Sequence, residues 1–167
     1  HKLGLPIRPP YSLTDMAHDA VGVLDALKID QAHIVGVSMG GMIAQRVAIA
    51  APHKVLSLTS IMSSSGARGL PQAKGPVVRA LFSRPANNTE SAIADHYVKL
   101  FKVIGSPSYP MDPTESRQRI VEGIQRSFHP EGTLRQMVAI AADAKRPKEL
   151  ARISCPSLVI HGKADLL

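Results

Sequence analysis

The segment Gly36-Val37-Ser38-Met39-Gly40-Gly41 sets one serine among glycines directly after an apolar run. It satisfies G-x-S-x-G, the pattern of a serine carried on a sharp turn between a strand and a helix. The reason is steric. Such a turn brings the backbone around the serine close to its neighbours, so glycine is expected at 36 and 40 because a Cβ would not fit, and Gly41 extends the tolerance. The hydroxyl then projects at the carboxyl end of a strand, where open α/β sheets bind ligands. The N–H of Met39 points into the same space as one donor of an oxyanion hole. The competing uses of such a loop are a flexible turn or a phosphate cradle. A Walker-type loop wants Gly-Lys-Ser/Thr, and the dinucleotide fingerprint wants glycine where Ser38 stands.

A serine hydroxyl is a weak nucleophile until a base takes its proton, and the base needs a carboxylate to orient it. Asp165 follows the apolar run Ser157–Ile160 through "HGKAD", which places it at the carboxyl end of a strand, suited to that acid and equally to a turn aspartate. No Asp or Glu follows the run that ends near Met62, where "SSSG" stands, so the rival position for the acid is empty. In the order Ser, acid, His, the base belongs beyond Asp165, and the chain ends at Leu167. None of the seven histidines fits the role. His33 precedes a strand, His53 lies in a turn, His18, His96 and His129 fall on or near helices, and His161 packs or hydrogen-bonds its own turn.

The elements that must position these residues are legible from periodicity. In "SLTDMAHDAVGVLDALKI", Met16, Ala20, Val23, Leu24 and Leu27 share one helix face, which predicts a helix from about Leu13 to Leu27 with Ser12 or Thr14 as N-cap. "AHIVGV" reads as a buried parallel strand, "MGGMIAQRVAIAAP" as a helix stopped by Pro52, and "KVLSLTSIM" as a second strand. Helix, strand, helix and strand at short separations define an α/β class, a parallel sheet flanked by helices. From about Leu70 to Ala144 only helical patterns occur, with Pro113 and Thr114 marking one helix start. "PSLVIHGKADLL" then returns to a buried-strand pattern. The expected organisation is a core over 1–66, an all-helical cap over 67–150, and a return to the core over 151–167.

The bulk composition narrows the classes. A chain of 167 residues with 44% hydrophobic content suits one soluble globule with a real core. No stretch approaches the roughly 20 apolar residues of a membrane span, and no export signal opens the chain, so a cytoplasmic location is expected. The lone Cys155 forms no intrachain disulfide and reads as a small buried thiol. The formal charge is +7, but aromatics are only 4%, so stacking platforms for nucleic acid are scarce. The densest basic group, "KRPK" at 145–148, reads as solvated surface.

Four segments together, "HIVGVSMGGMIAQRVA", "DAVGVLDALKI", "VLSLTSI" and "PSLVIHGKADLL", resemble the α/β-hydrolase fold family. Within it the "GxSMGG" elbow is similar to that of capped serine hydrolases, bacterial carboxylesterases related to the aclacinomycin methylesterases. The resemblance implies Ser38 as nucleophile, Asp165 as acid, Met39 as an oxyanion donor, and residues from about 67 to 145 as a cap over the acyl pocket. It also implies that early strands, an "HG"-type loop with the second oxyanion donor and a "D-x-R-G-x-G-x-S"-like segment precede His1. A helix, a strand and the catalytic histidine follow Asp165, so the chain reads as the middle of a hydrolase. The implied activity is cleavage of carboxylic esters of small or medium apolar substrates through an acyl-enzyme, with no metal or organic cofactor, no nucleic acid and no membrane. Serine at the elbow argues against haloalkane dehalogenase and epoxide hydrolase chemistry. Lactonase, carbon–carbon hydrolase, perhydrolase and acyltransferase activities stay open, as does a non-catalytic ligand-binding protein or inactive fragment. Leu70, Val77, Leu81, Phe82 and Met137 are candidates to line the pocket, at a spacing that serves a helical core equally well.

Overall fold

The computed structural model describes residues 8–71, 73–143 and 145–165. In chain order its elements are α1 (Leu13–Ala26), β1 (Ala32–Val37), α2 (Met39–Ala50), β2 (Val55–Ile61), α3 (Gly75–Leu81), α4 (Glu90–Ile104), α5 (Pro113–Arg126), α6 (Pro130–Ala142), α7 (Arg146–Glu149) and β3 (Ser157–Ile160). They fall into two compact units, one of residues up to 70 with 130–162, the other of residues 71–129 with those from 163.

In the first unit α1 begins where a reciprocal cap satisfies its free amides. The Asp15 N–H donates to Ser12 Oγ at 3.2 Å, while the Ser12 N–H and hydroxyl donate to the Asp15 carboxylate at 2.8 and 2.6 Å. Such a box stabilises a helix by about 1 kcal/mol. The same bonds from Ser12 hold the Asp15 carboxyl below its ordinary range. At the other end Lys28 takes a left-handed φ of 56°, the position that usually goes to glycine after a helix. Helix α2 ends at Ala50 because Pro52 has no N–H to continue it, and Pro52–Lys54 form a single 3-10 turn into β2.

The sheet has the order β1-β2-β3, and both pairings are parallel, with Ile34 opposite Leu58, Gly36 opposite Ser60 and Ser60 opposite Val159. Helix α2 packs on α1, β1 and β2. Its buried Ala44, Val47 and Ala48 join Ala17, Val55 and Leu58 in one core cluster. Full burial of Val47 or Leu58 stabilises by roughly 1.5–3 kcal/mol each. Cys155 is half-buried against this cluster rather than fully enclosed.

Two further expectations change on contact with the structure. The runs Ala32–Val37 and Ser157–Ile160 are parallel strands as expected, but only Gly36 is buried in the first and all four residues of the second are exposed. Among the described residues β3 pairs with β2 alone, and an apolar run records that a strand can be covered on both faces, not that it is. The second change concerns "KRPK": Arg146 is only 2% exposed, so this basic group is not simply solvated surface.

The second unit contains α3, α4 and α5. Proline or a side-chain cap opens each one: Pro76 in the first turn of α3, the Thr89 hydroxyl accepting from the Ala92 N–H at 3.3 Å, and the Asp112 carboxylate accepting from the Glu115 N–H at 2.8 Å. Helix α4 packs on α3 and α5, and Arg117 ties α5 to α4 by reaching Asp95 at 3.2 Å and the Ser91 hydroxyl at 2.9 Å. Among the described residues of this unit Val77, Ile93 and Ala94 are buried, which makes Val77 core. Leu81 and Phe82 keep 36% and 61% of their surface exposed.

Candidate active site

Ser38 stands between β1 and α2 with φ 54° and ψ −121°. This is the first central position of a type II′ turn, a conformation that glycine adopts freely and an L-residue adopts at a cost. Serine at a helix N-cap ordinarily accepts a hydrogen bond from the first turn. Ser38 makes no such cap, and the residue is exposed, so its hydroxyl is not spent on the helix. Its backbone is held by the end of β2, by the loop that follows it and by the first turn of α2. The Ser38 N–H donates to the Ile61 carbonyl at 2.9 Å, and the Ser38 carbonyl accepts from the Ser63 hydroxyl at 2.7 Å and from the Gly41 N–H at 2.9 Å. Met39 opens α2, so its N–H is one of the four that a helix leaves without an intrahelical partner.

The flanking glycines divide by function. A Cβ on Gly36 would lie 2.1 Å from the Gly40 carbonyl oxygen, a backbone clash that nothing short of moving the helix relieves. A Cβ on Gly41 would lie 2.6 Å from Ser63 Cβ and 3.0 Å from Ser60 Oγ. Gly40 departs from expectation: apart from its chain neighbours and the backbone of its own helix, no described atom lies within 4 Å of where its Cβ would sit. The crowding falls on Gly36, which lies in β1 and faces the start of α2, and on Gly41, which faces Ser60 and Ser63, whereas Gly40 contributes its backbone to the contact with Gly36.

Asp165 follows a turn at 163–164 beyond the end of β3 and is half-buried, in the second compact unit. Several histidines have local partners. His33 Nδ1 lies 2.7 Å from Ser57 Oγ across the β1–β2 register, the His53 carbonyl accepts from the Gln31 amide at 2.9 Å, and His96 meets Tyr97 edge-on at 5.4 Å.

A buried polar group behind the elbow has no counterpart in the sequence patterns. Arg46 and Arg146 are 8% and 2% exposed. Arg46 donates through Nε to Asp143 at 2.9 Å and pairs also with Glu149. Arg146 donates through Nε and Nη2 to the carbonyls of Ser65 and Ser64 at 3.2 and 3.1 Å, and its Nη1 lies 2.9 Å from Asp143 Oδ2 without hydrogen-bond alignment. Burial opposes the charge on Arg46, but Asp143 and then Glu149 more than offset it and push its pKa up. For Arg146 burial prevails, with Arg46 adding to it against Asp143, and the pKa is pushed down. The one signal in the sequence is Gln45-Arg46 inside an otherwise apolar helix, at positions where α2 is buried.

A parallel sheet whose strand delivers an exposed serine, in a left-handed turn, to the start of a helix defines the nucleophile-elbow class of α/β proteins. The chain belongs to the alpha/beta hydrolase fold family, whose sequence profile matches residues 5–167. It is 29% identical to the rhodomycin D methylesterase DauP of Streptomyces sp. (strain C5), over 93% of this chain and 58% of that protein. It is 28% identical to 3-oxoadipate enol-lactonase 2 of Acinetobacter baylyi, over 93% of this chain and 55% of the lactonase. The chain thus spans less than two thirds of these relatives. Among solved structures, a meta-cleavage product hydrolase from Pseudomonas fluorescens IP01 superposes with a TM-score of 0.71 at 21% identity, over 97% of this chain and 57% of that one. That likeness concerns the fold.

Proposed function

We propose that the chain is part of a serine hydrolase that cleaves carboxylic esters of small or medium apolar substrates through an acyl-enzyme. The observation that carries this reading is Ser38 itself, a non-glycine residue held at φ 54° with its hydroxyl uncommitted to the helix it begins. The Ser38 oxygen attacks the ester carbonyl while a histidine base takes its proton, and the Met39 N–H donates to the resulting oxyanion. Collapse expels the alcohol, which receives that proton, and water then releases the acid and restores Ser38. Asp165 is the carboxylate that orients the base, and none of the seven histidines here is assigned as that base. The helical residues 67–150 act as the cap over the acyl pocket.

Esters are favoured over lactones and carbon–carbon bonds because two relatives named as rhodomycin D methylesterases match 93% of the chain at 29% and 27% identity. The test is labelling of the natural protein with a fluorophosphonate, followed by intact mass, peptide mapping and ester hydrolysis. One adduct on Ser38 is expected, and Ser38→Ala should abolish labelling and lower turnover by at least about a thousandfold. A folded protein that takes no adduct overturns the reading and leaves a ligand-binding relative of the hydrolases. A labelled protein that turns over lactones but not esters overturns the ester assignment alone.

A further inference from the structure

The loop that follows β2, Ser63 to Gly66, is fastened from two directions. The Gln45 amide on α2 donates to Ser60 Oγ at 3.2 Å and to the Ser64 carbonyl at 3.4 Å. The Arg146 guanidinium donates to the carbonyls of Ser64 and Ser65 from the far end of the chain. Room for that guanidinium exists because residue 66 is glycine: its φ is +75°, and a Cβ there would sit 2.9 Å from Arg146 Nη2. The left-handed φ of 37° at Met62 turns the chain out of β2, and the Met62 N–H is fixed to the Ile160 carbonyl at 2.8 Å. The residue between this turn and the fastened carbonyls is Ser63, whose hydroxyl donates to the carbonyl of Ser38.

We propose that Arg146 is a positioning residue for Ser38, acting through the Ser64 and Ser65 carbonyls and the Ser63 hydroxyl. The proposal rests on Ser38 being the nucleophile. On this reading the "SSSG" segment, which offers no carboxylate, braces the turn whose strained backbone aims the nucleophile. Arginine suits this position because its planar fork reaches two successive carbonyls at once, which a lysine ammonium does not reproduce. Asp143 and Glu149 keep Arg46 in place beside it, so the brace stands on a buried charged group rather than on a surface side chain.

The experiment compares Ser63→Ala, Gly66→Ala and Arg146→Lys in the natural protein, with exposed Lys148→Met as control. The readouts are the second-order rate constant for fluorophosphonate labelling per folded molecule, and kcat and KM on an ester. Ser63→Ala and Gly66→Ala are each expected to slow labelling and lower kcat by roughly tenfold, with KM unchanged. The double variant is expected to be no slower than either single one, because both break the same chain of contacts. Arg146→Lys should match them where it folds, and Gly66→Ala displaces the guanidinium without removing it where it does not. Labelling at the parent rate in Ser63→Ala or Gly66→Ala, or fully multiplicative losses in the double variant, would overturn the brace. Failure of the parent protein to label at all overturns instead the assignment of Ser38 as nucleophile.

Discussion

On one face of the sheet Ile34, Gly36, Leu58 and Ser60 meet α2, while on the other Val35, Val37, Leu158 and Ile160 are 47–62% exposed. Both faces are apolar enough to be buried, so apolarity alone does not choose where the helix sits. Residue size toward the carboxyl ends of β1 and β2 differs instead. The packed face presents a glycine opposite a serine there, which lets the backbone at Gly40 approach Gly36 and brings Gln45 within reach of Ser60. The open face presents Val37 opposite Ile61. Helix α2 is therefore admitted close to one side only, and the elbow forms on that side.

The largest effect expected from breaking this arrangement is that of Gly36→Val. Its Cβ would overlap the Gly40 carbonyl, and the destabilisation should reach about 4 kcal/mol or more. A urea midpoint equal to that of the parent would show that the close approach of β1 and α2 is dispensable. A matched pair on the two faces sharpens the contrast. Leu58→Ala, at 4% exposure, should cost about 2–5 kcal/mol, whereas Val35→Thr, at 62%, should change stability by less than about 0.5 kcal/mol. Similar losses in equilibrium unfolding of both variants would mean that the open face is covered in solution.

The smallest effect lies at the start of α1. A hydrogen bond from the Tyr11 hydroxyl to Asp19, with burial and the charges of Asp19 and Asp15 adding, pushes the Tyr11 pKa up to about 12. The fold thus favours neutral Tyr11. Its contribution to stability is intact below the unfolded value of 10.0 and is lost as pH rises through about 12. In an absorbance titration Tyr11 should ionise late, and Asp19→Asn should bring it back toward 10.0. No change on that substitution would refute the assignment.

Local patterns make most of the scaffold readable. The periodicity of "SLTDMAHDAVGVLDAL" places α1 to within a residue of Leu13–Ala26, and "AHIVGV" and "SLVI" form the strands β1 and β3, although neither is buried as a parallel-strand pattern suggests. The elbow is legible because a strand, G-x-S-x-G and a helix occupy consecutive residues. What stays hidden is carried by contacts distant in sequence. Arg146 meets Ser65 across 81 residues and Arg46 meets Asp143 across 97, and nothing in "KRPK" separates a buried arginine from a solvated one. Gly40 differs from expectation for a related reason. The motif names three glycines alike, and only packing tells which of them lie where β1, α2 and the end of β2 meet closely.

The backbone of Ser38 also bears on how such a protein can drift. A left-handed, non-glycine residue stores on the order of 1–3 kcal/mol, which a glycine at the same place would release. The substitution that most relaxes this turn would therefore delete the hydroxyl that the turn presents. On the proposal that Ser38 is the nucleophile, selection on chemistry holds a serine that folding stability opposes, and a lineage released from that selection would be expected to lose the side chain while keeping, or even firming, the fold.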